Sequence, residues 1–136
     1  MTMAYWLLKS DPDTYSFQDL VRDKSTFWDG VRNYQARKFL KEMKRGDAAF
    51  IYHSQEEKSV VGLARVTRSA YPDPTDKTGE WVVVDLEAGK PAKNPVTLEA
   101  IKKDPELRSL PLVKQSRLSV MPVSAPQAKR LIQLLS

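Results

Sequence analysis

The sequence WDGVRNYQARKFLKEMKR, residues 28–45, contains the clearest structural pattern in the chain. Its apolar side chains recur at the spacing of one helical face, which predicts a helix over residues 34–45 packed against a core. These apolar positions are Ala36, Phe39, Leu40 and Met43. Gly46 follows as the residue expected to end the helix, because glycine readily adopts the left-handed conformation found there. The segment therefore predicts a helix with one buried face and one solvent-facing surface.

The solvent-facing surface of this segment is basic. Six basic residues stand against a single acid, Glu42. They are Arg32, Arg37, Lys38, Lys41, Lys44 and Arg45. Together with Trp28 and Asn33 they suit a nucleic acid, since cations bind phosphates, an aromatic ring stacks on a base and an amide pairs with a base edge. An alternative needs no ligand: a half-buried Trp28, Asn33 as the helix N-cap and an ordinary solvated face.

Size and composition restrict the class of protein. The chain has 136 residues, a formal charge of +5, a pI near 9.5 and no cysteine, so one domain with a core that needs no disulfide or cysteine-based zinc site is expected. No run approaches the roughly 18 apolar residues of a membrane span, and the first residues lack a signal-peptide pattern. We therefore expect a soluble cytoplasmic protein that binds no membrane, no metal and no cofactor.

The remaining pattern predicts a mixture of short strands and helices. Strands are expected at residues 3–9, in a hairpin at 48–70, at 81–88 and at 112–123, with loops at 71–79 and around Pro91 and Pro95. Capping boxes at Ser16–Asp19 and Ser124–Gln127 open helices, and Thr97 caps another. Inward-facing apolar residues of the two capping-box helices are Phe17, Leu20 and Val21, and Ala128, Leu131, Ile132 and Leu135. The prediction is one α+β domain over residues 1–136, a mixed or antiparallel β-barrel of five or six strands with flanking helices and a binding groove.

Four segments resemble one known family in order and spacing. They are YWLLKSDP (5–12), WDGVRNYQAR (28–37), YHS (52–54) and RLSVMPV (117–123), and they are similar to the EVE domains of the PUA-like superfamily. A weaker similarity reaches the YTH domains, which read methylated adenine in RNA, through Lys9-Ser10 and Trp28. The resemblance implies a PUA-like barrel whose pocket takes a flipped, modified base, so that any nuclease or other effector would be a separately encoded protein.

The resemblance also implies which residues form the site. Trp28 would be the stacking wall, worth roughly 1–3 kcal/mol for a base, and a buried methyl group would add about 0.8 kcal/mol. The predicted pocket residues are Lys9, Ser10, Trp28, Val31, Asn33, Tyr34, Tyr52 and Ser54. The predicted backbone-binding residues are Arg32, Arg37, Lys38, Lys41, Lys44, Arg45 and Arg117, with Ser119 expected on the same strand face as Arg117. Lys9 is expected on a phosphate, or alternatively paired with Asp11 or Asp29.

Catalysis is disfavoured by the same residues. An acyl-transfer triad would need the single histidine, His53, within hydrogen-bond reach of a hydroxyl. The adjacent Ser54 is expected to point away from it, because neighbours in a strand point to opposite faces. Glu56-Glu57-Lys58 falls in a polar hairpin tip, and no glycine-rich phosphate loop or metal-binding spacing is present. The prediction is a reader of a methylated or hydroxymethylated base in DNA or RNA. Two alternatives stay open: an enzyme acting on a modified nucleobase or nucleotide through His53 or Asp29, and a PUA-like RNA-binding module without preference for modified bases.

Overall fold

The computed structural model describes residues 3–55 and 57–136. Six strands and five helices follow one another along this part of the chain. They are β1 (Tyr5–Ser10), α1 (Phe17–Asp23), β2 (Ser25–Phe27), α2 (Tyr34–Glu42), β3 (Ala48–His53), β4 (Ser59–Pro72), β5 (Val82–Thr97), α3 (Leu98–Lys103), α4 (Pro111–Lys114), β6 (Val120–Val123) and α5 (Ala125–Leu135). The predicted α+β class and the β3–β4 hairpin are confirmed. Glu56, at the predicted hairpin tip, lies outside the described residues.

The strands form one mixed sheet in the order β2-β5-β4-β3-β1-β6. Strand β1 runs parallel to β3, and the other described pairs are antiparallel. Because β1 and β3 are parallel, their carboxyl ends meet, with Lys9 opposite Tyr52 and Ser10 opposite His53. The topology therefore brings four residues of two predicted site motifs to one end of the sheet.

The core lies on both faces of the central strands, and every residue of β3 is buried. Its continuous apolar run AAFIYH is typical of a strand covered on both faces. Phe17, at the start of α1, packs directly on the backbone of Gly62 in β4, where a Cβ atom would overlap the phenyl ring. Glycine at position 62 therefore permits the close approach of α1 to the sheet.

Helix α2 ends three residues earlier than the sequence pattern predicts. Met43 is extended and buried, and Lys44 donates its backbone N–H to Oδ2 of Asp47 at 2.9 Å. The buried Asp47 carboxylate also accepts from the Trp6 indole at 3.0 Å, which ties the end of α2 to β1. Gly46 has a φ of +96° but lies in the turn into β3, so the prediction that it ends the helix is wrong.

Two expected boundaries of strands are also wrong. The segment predicted as a strand over residues 112–123 contains the short helix α4, a turn and then β6, because Pro111 starts a helical turn. Arg117 and Ser119 therefore do not share a strand face. Strand β5 continues through Pro91 and Pro95, where the expected loop is absent. Proline is tolerated there because β2 pairs only with residues 85–87, which leaves the later part of β5 without a described partner on that side.

The apolar stripes of two helices are narrower than predicted. Val21 in α1 is 46% exposed and Ile132 in α5 is 40% exposed, whereas the other predicted inward residues of α1 and α5 are buried. Among the described residues, no helix is both long and apolar enough to cross a membrane.

Candidate nucleic-acid interface

Lys9 lies at the carboxyl end of β1, where a backbone carbonyl binds its ammonium group. Its Nζ donates to the carbonyl of Ser116 at 2.7 Å and lies 6.0 Å from the centroid of the Tyr52 ring. Burial lowers the pKa of Lys9 and raises the pKa of Tyr52. The described contacts of the ammonium group thus do not include Asp11 or Asp29, the carboxylates considered from the sequence. Because a carbonyl oxygen carries no formal charge, it does not neutralise the Lys9 ammonium group, which therefore suits a phosphate partner.

The serines at this end of the sheet bond to the backbone. The Ser10 hydroxyl donates to the carbonyl of Tyr15, and the Ser54 hydroxyl donates to the carbonyl of Ser10 at 3.3 Å. The Ser10 bond fixes the turn between β1 and α1, and the Ser54 bond joins the ends of β3 and β1. Each hydroxyl uses only its donor in these bonds, so its oxygen can still accept a hydrogen bond from a base edge.

Trp28 lies between β2 and α2, and its side chain belongs to the hydrophobic core. It is 7% exposed, its backbone N–H donates to the carbonyl of Val84 at 2.8 Å, and Tyr15 packs edge-on against the indole at a centroid distance of 6.2 Å. Val31, predicted for the same pocket, is also buried. A base can stack on the face of this indole only after neighbouring side chains, Tyr15 foremost, move aside.

Trp28 lines neither of two surface cavities. A largely apolar cavity of about 520 Å³ is formed between the later part of β5 and α5, with Lys90, Lys93 and Ile132 in its lining. A polar cavity of about 310 Å³ is lined by Ser25, Thr26, Phe27, Thr67, Tyr71 and Asp85. Neither cavity includes a residue of the predicted pocket.

Asn33 caps α2. Its Oδ1 accepts the backbone N–H of Ala36 at 2.9 Å, while the residue itself is exposed to solvent. The cap uses only the amide oxygen, so the Nδ2 donors are not consumed by it. The structural role considered from the sequence is therefore present, and it is compatible with donation to a base edge.

Tyr34 does not point to the Lys9–Ser54 end of the sheet but to the loop before β5. Its hydroxyl donates to Oε1 of Glu80 at 2.8 Å, and its ring centroid lies 5.2 Å from that of Trp81. The guanidinium carbon of Arg37 lies 4.8 Å from the Tyr34 centroid and 5.3 Å from the Trp81 centroid. Arg32 lies 5.7 Å from the Trp81 centroid. We call these five residues, Arg32, Tyr34, Arg37, Glu80 and Trp81, the Trp81 cluster.

The loop that carries Trp81 is held by two aspartates. Asp73 is buried and binds Arg32 at 3.1 Å, and its Oδ1 accepts from the Thr75 backbone and hydroxyl. Asp76 accepts the Trp81 backbone N–H at 2.9 Å together with the N–H and hydroxyl of Thr78. These donors, the Trp81 N–H first, lower the pKa of Asp76 to about 2. The loop at 71–79 was predicted, but its role in placing Trp81 was missed, although Asp-x-Thr repeated at 73–75 and 76–78 is a signal for such turns.

The cations of and after α2 are exposed. Lys38 and Lys41 lie on the helix, and Lys44 and Arg45 follow it. Among the described residues, none of these four forms an ion pair within 4 Å, in contrast to Arg32. Arg117 is also exposed and directly follows Ser116, whose carbonyl binds Lys9. The structure therefore places Arg117 beside the predicted pocket. Arg32 and Arg37 differ from the four other cations because they lie against the Trp81 ring.

His53 is buried and connects β3 with α1. Its Nε2 accepts the backbone N–H of Phe17 at 2.9 Å, and its Nδ1 lies 2.8 Å from Oε2 of Glu57. Because Nε2 accepts, the proton is assigned to Nδ1, which donates to Glu57. Within residues 3–55 and 57–136, no group of three or more histidine and acidic side chains could hold a metal ion.

The mixed six-stranded sheet, its flanking helices and the motifs at the ends of β1 and β3 define a PUA-like domain. Within that class the chain belongs to the EVE domain family, whose pattern matches residues 4–134. The predicted family and fold are thus confirmed.

Relatives and solved structures agree with this family. The chain is 34% identical to mouse thymocyte nuclear protein 1, over 96% of this chain and 73% of that protein. Identity to the chicken protein is 33%, over 91% of this chain and 65% of that protein, so this chain covers less than two thirds of the chicken relative. The structure of Rpa0253 from Rhodopseudomonas palustris superimposes with a TM-score of 0.92 at 47% identity, over 98% and 93% of the two chains. The human THYN1 protein in complex with 5-methylcytosine-containing DNA superimposes with a TM-score of 0.89 at 30% identity, over 98% of each chain.

Proposed function

We propose that this EVE domain reads 5-methylcytosine in DNA by taking the flipped base into a pocket walled by Trp28. The observation that supports it most directly is the likeness to the DNA-bound human THYN1 structure, with a TM-score of 0.89 over 98% of both chains. Human THYN1 is the protein seen with 5-methylcytosine-containing DNA, and the function is carried over to this chain by that likeness.

The charge distribution supports a nucleic acid as the partner. Lys38, Lys41, Lys44 and Arg45 form an exposed basic stretch on and after α2. Each lysine or arginine that neutralises a phosphate releases a counterion and so strengthens binding at low salt. In this proposal these four cations, with Arg117 and Lys9, hold the DNA backbone while the base enters.

Base entry depends on a local opening beside Trp28. The indole is almost fully covered, and Tyr15, whose hydroxyl bonds to Asp23 at 2.9 Å, lies edge-on against it. A methylated base that replaces Tyr15 on the indole would gain stacking energy and bury its methyl group. Asn33, Ser10 and Ser54 would then contact the base edge.

The proposal is a binding function without catalysis. Both ring nitrogens of His53 are engaged in hydrogen bonds, one to the start of α1 and one to Glu57 between β3 and β4, so its bonding supports a structural role. We further propose that the protein acts in the cytoplasm and that any enzymatic outcome of reading belongs to a separately encoded effector protein.

The test measures binding to duplexes of one sequence that differ only in a central cytosine or 5-methylcytosine. The wild type is expected to prefer the methylated duplex, and Trp28→Leu, which keeps an apolar side chain but removes the ring, is expected to lose that preference. Lys41→Gln with Lys44→Gln should weaken both duplexes about equally and lower the slope of log K against log salt by roughly 2, since each phosphate contact contributes about 0.9.

The controls separate the alternatives. Circular dichroism and thermal unfolding check that each variant is folded, and mass spectrometry of the oligonucleotide detects any product. Retention of the methyl preference in folded Trp28→Leu would contradict the pocket. Tight binding to RNA with no preference for a modified base would favour the plain RNA-binding module, and product formation that is lost in His53→Gln would favour the enzyme.

A further inference from the structure

We propose that the Trp81 cluster is a second contact on DNA, in which the Tyr34 ring stacks on the base next to the one taken into the pocket. This inference rests on the proposed function and adds a stacking surface outside the Trp28 pocket.

Tyr34 is an aromatic ring that is exposed yet fixed. It is 63% exposed, while three contacts hold it: its hydroxyl bond to Glu80, the ring of Trp81 and the guanidinium group of Arg37. Arg37 is in turn fixed by donating to the Glu80 carbonyl at 2.9 Å. A ring that is already ordered loses little conformational freedom when it binds, so more of its stacking energy appears as affinity.

The cluster lies close to the predicted pocket. The Trp28 N–H binds the carbonyl of Val84 in β5, and Trp81 lies three residues before Val84, directly ahead of that strand. At a strand rise of about 3.3 Å per residue, Trp81 lies roughly 10 Å along the strand from the residue that Trp28 binds. Successive phosphates of one B-DNA strand are spaced by about 3.4 Å along the helix axis. The distance of about 10 Å therefore spans about three nucleotides, so the Trp81 cluster lies within reach of the bases that flank the flipped base.

Base flipping exposes the base faces on which this surface would stack. When a base leaves the stack, the faces of its neighbours lose their stacking partner. Tyrosine and tryptophan rings stack on any base, and an arginine guanidinium adds a planar cation. The exposed Tyr34 ring, backed by Trp81 and Arg37, supplies such a planar surface.

The contacts of the two arginines in the cluster favour stacking over phosphate binding. Arg32 is paired with the buried carboxylate of Asp73. Arg37 donates to the backbone carbonyl of Glu80, and the carboxylate of Glu80 accepts from the Tyr34 hydroxyl. Both guanidinium groups are thus bonded to the loop before β5 and lie against aromatic rings, whereas Lys38, Lys41, Lys44 and Arg45 have no described ion pair. We therefore assign Arg32 and Arg37 to the aromatic surface, although the sequence predicted them as backbone-binding residues.

The test combines affinity with a local fluorescence signal. The probe is a duplex with 5-methylcytosine and 2-aminopurine as its neighbour, because 2-aminopurine is quenched when stacked and bright when unstacked. With wild-type protein the neighbour should stay largely quenched. In Tyr34→Ala and Trp81→Ala its fluorescence should rise and affinity should fall about 5- to 150-fold, the range expected for one base–aromatic stack. The salt slope and the preference for methylated over unmethylated duplex should stay unchanged.

Tyr34→Phe is the matched control, since it keeps the ring and removes only the hydroxyl bond to Glu80; it should behave almost as the wild type. The inference is overturned if wild-type protein prefers the methylated duplex while both alanine variants bind within twofold of it with unchanged fluorescence. It is also overturned if the alanine variants lower the salt slope, because that result identifies a phosphate contact. A wild-type protein that binds both duplexes equally overturns the proposed function and this inference with it.

Discussion

The two tryptophans at the ends of the candidate interface have opposite environments. Trp28 is 7% exposed and packed in the hydrophobic core, whereas Trp81 is partly exposed and lies between two arginines and a tyrosine. A buried ring must be uncovered before it binds a base, so part of its stacking energy offsets the opening. An exposed, fixed ring binds without that cost. In the proposed function, Trp28 would therefore serve selectivity and the Trp81 cluster affinity.

The largest expected effect comes from removing the two rings in turn. Trp28→Ala should lower the free energy of unfolding by about 3–5 kcal/mol, because it empties a core site. Trp81→Ala should lower it by only about 1–2 kcal/mol, the sum of a few partly exposed cation–π contacts. Urea unfolding followed by circular dichroism measures both values. Equal losses in the two variants would show that the two rings are not buried to different degrees.

A smaller effect on the free energy of unfolding is expected in the core, where α1 packs against β4. Gly62→Ala should destabilise the protein by about 1–3 kcal/mol, since the added methyl group overlaps the Phe17 ring. Adding Phe17→Leu to Gly62→Ala should cost less than the sum of the two single changes, because the smaller side chain leaves room for the methyl group. Thermal or urea unfolding of the four proteins in this cycle gives the coupling, and strict additivity would argue against the contact.

The smallest expected effect concerns pH and the loop that carries Trp81. The pKa of Asp76 is lowered from 3.8 to about 2, so its hydrogen bonds favour the ionised carboxylate. The stability they contribute is therefore complete above about pH 4 and is lost as the pH falls towards 2. In an NMR titration the Asp76 carboxyl and the Trp81 amide should share a midpoint near 2, while the Trp28 amide, which binds the Val84 carbonyl, should not follow that midpoint.

Asp76→Asn provides the control for this titration. The Trp81 amide should then lose the transition near pH 2 and keep its other responses. A midpoint near 3.8 in the wild type would mean that the carboxylate does not hold the loop.

The sequence predicted those parts of the fold that depend on local contacts. Both capping boxes, Ser16 with Asp19 and Ser124 with Gln127, are present, because each joins groups three residues apart. The end of α2 was predicted wrongly, because Asp47 binds Lys44 and Trp6 at once, and the second bond joins residues distant in sequence.

The candidate site, like the fold, could be predicted only in part. The motifs at Lys9-Ser10 and Tyr52–Ser54 could be grouped through the resemblance, and parallel pairing of β1 with β3 brings them together. The burial of Trp28, the edge-on contact of Tyr15 and the stacking of Tyr34 on Trp81 all arise from tertiary packing. Periodicity in a single chain carries no information on such contacts, so Tyr15 and Trp81 were missed as site residues.

The position of β1 within the sheet has a consequence for how the chain folds. One neighbour of β1 is β3, but the other is β6, with Leu8 opposite Val120. A ribosome must therefore synthesise most of the domain before the first strand gains its second partner. Contacts between residues so far apart in sequence slow folding. During translation, the exposed edge of the YWLLKS strand would be the surface most in need of a chaperone.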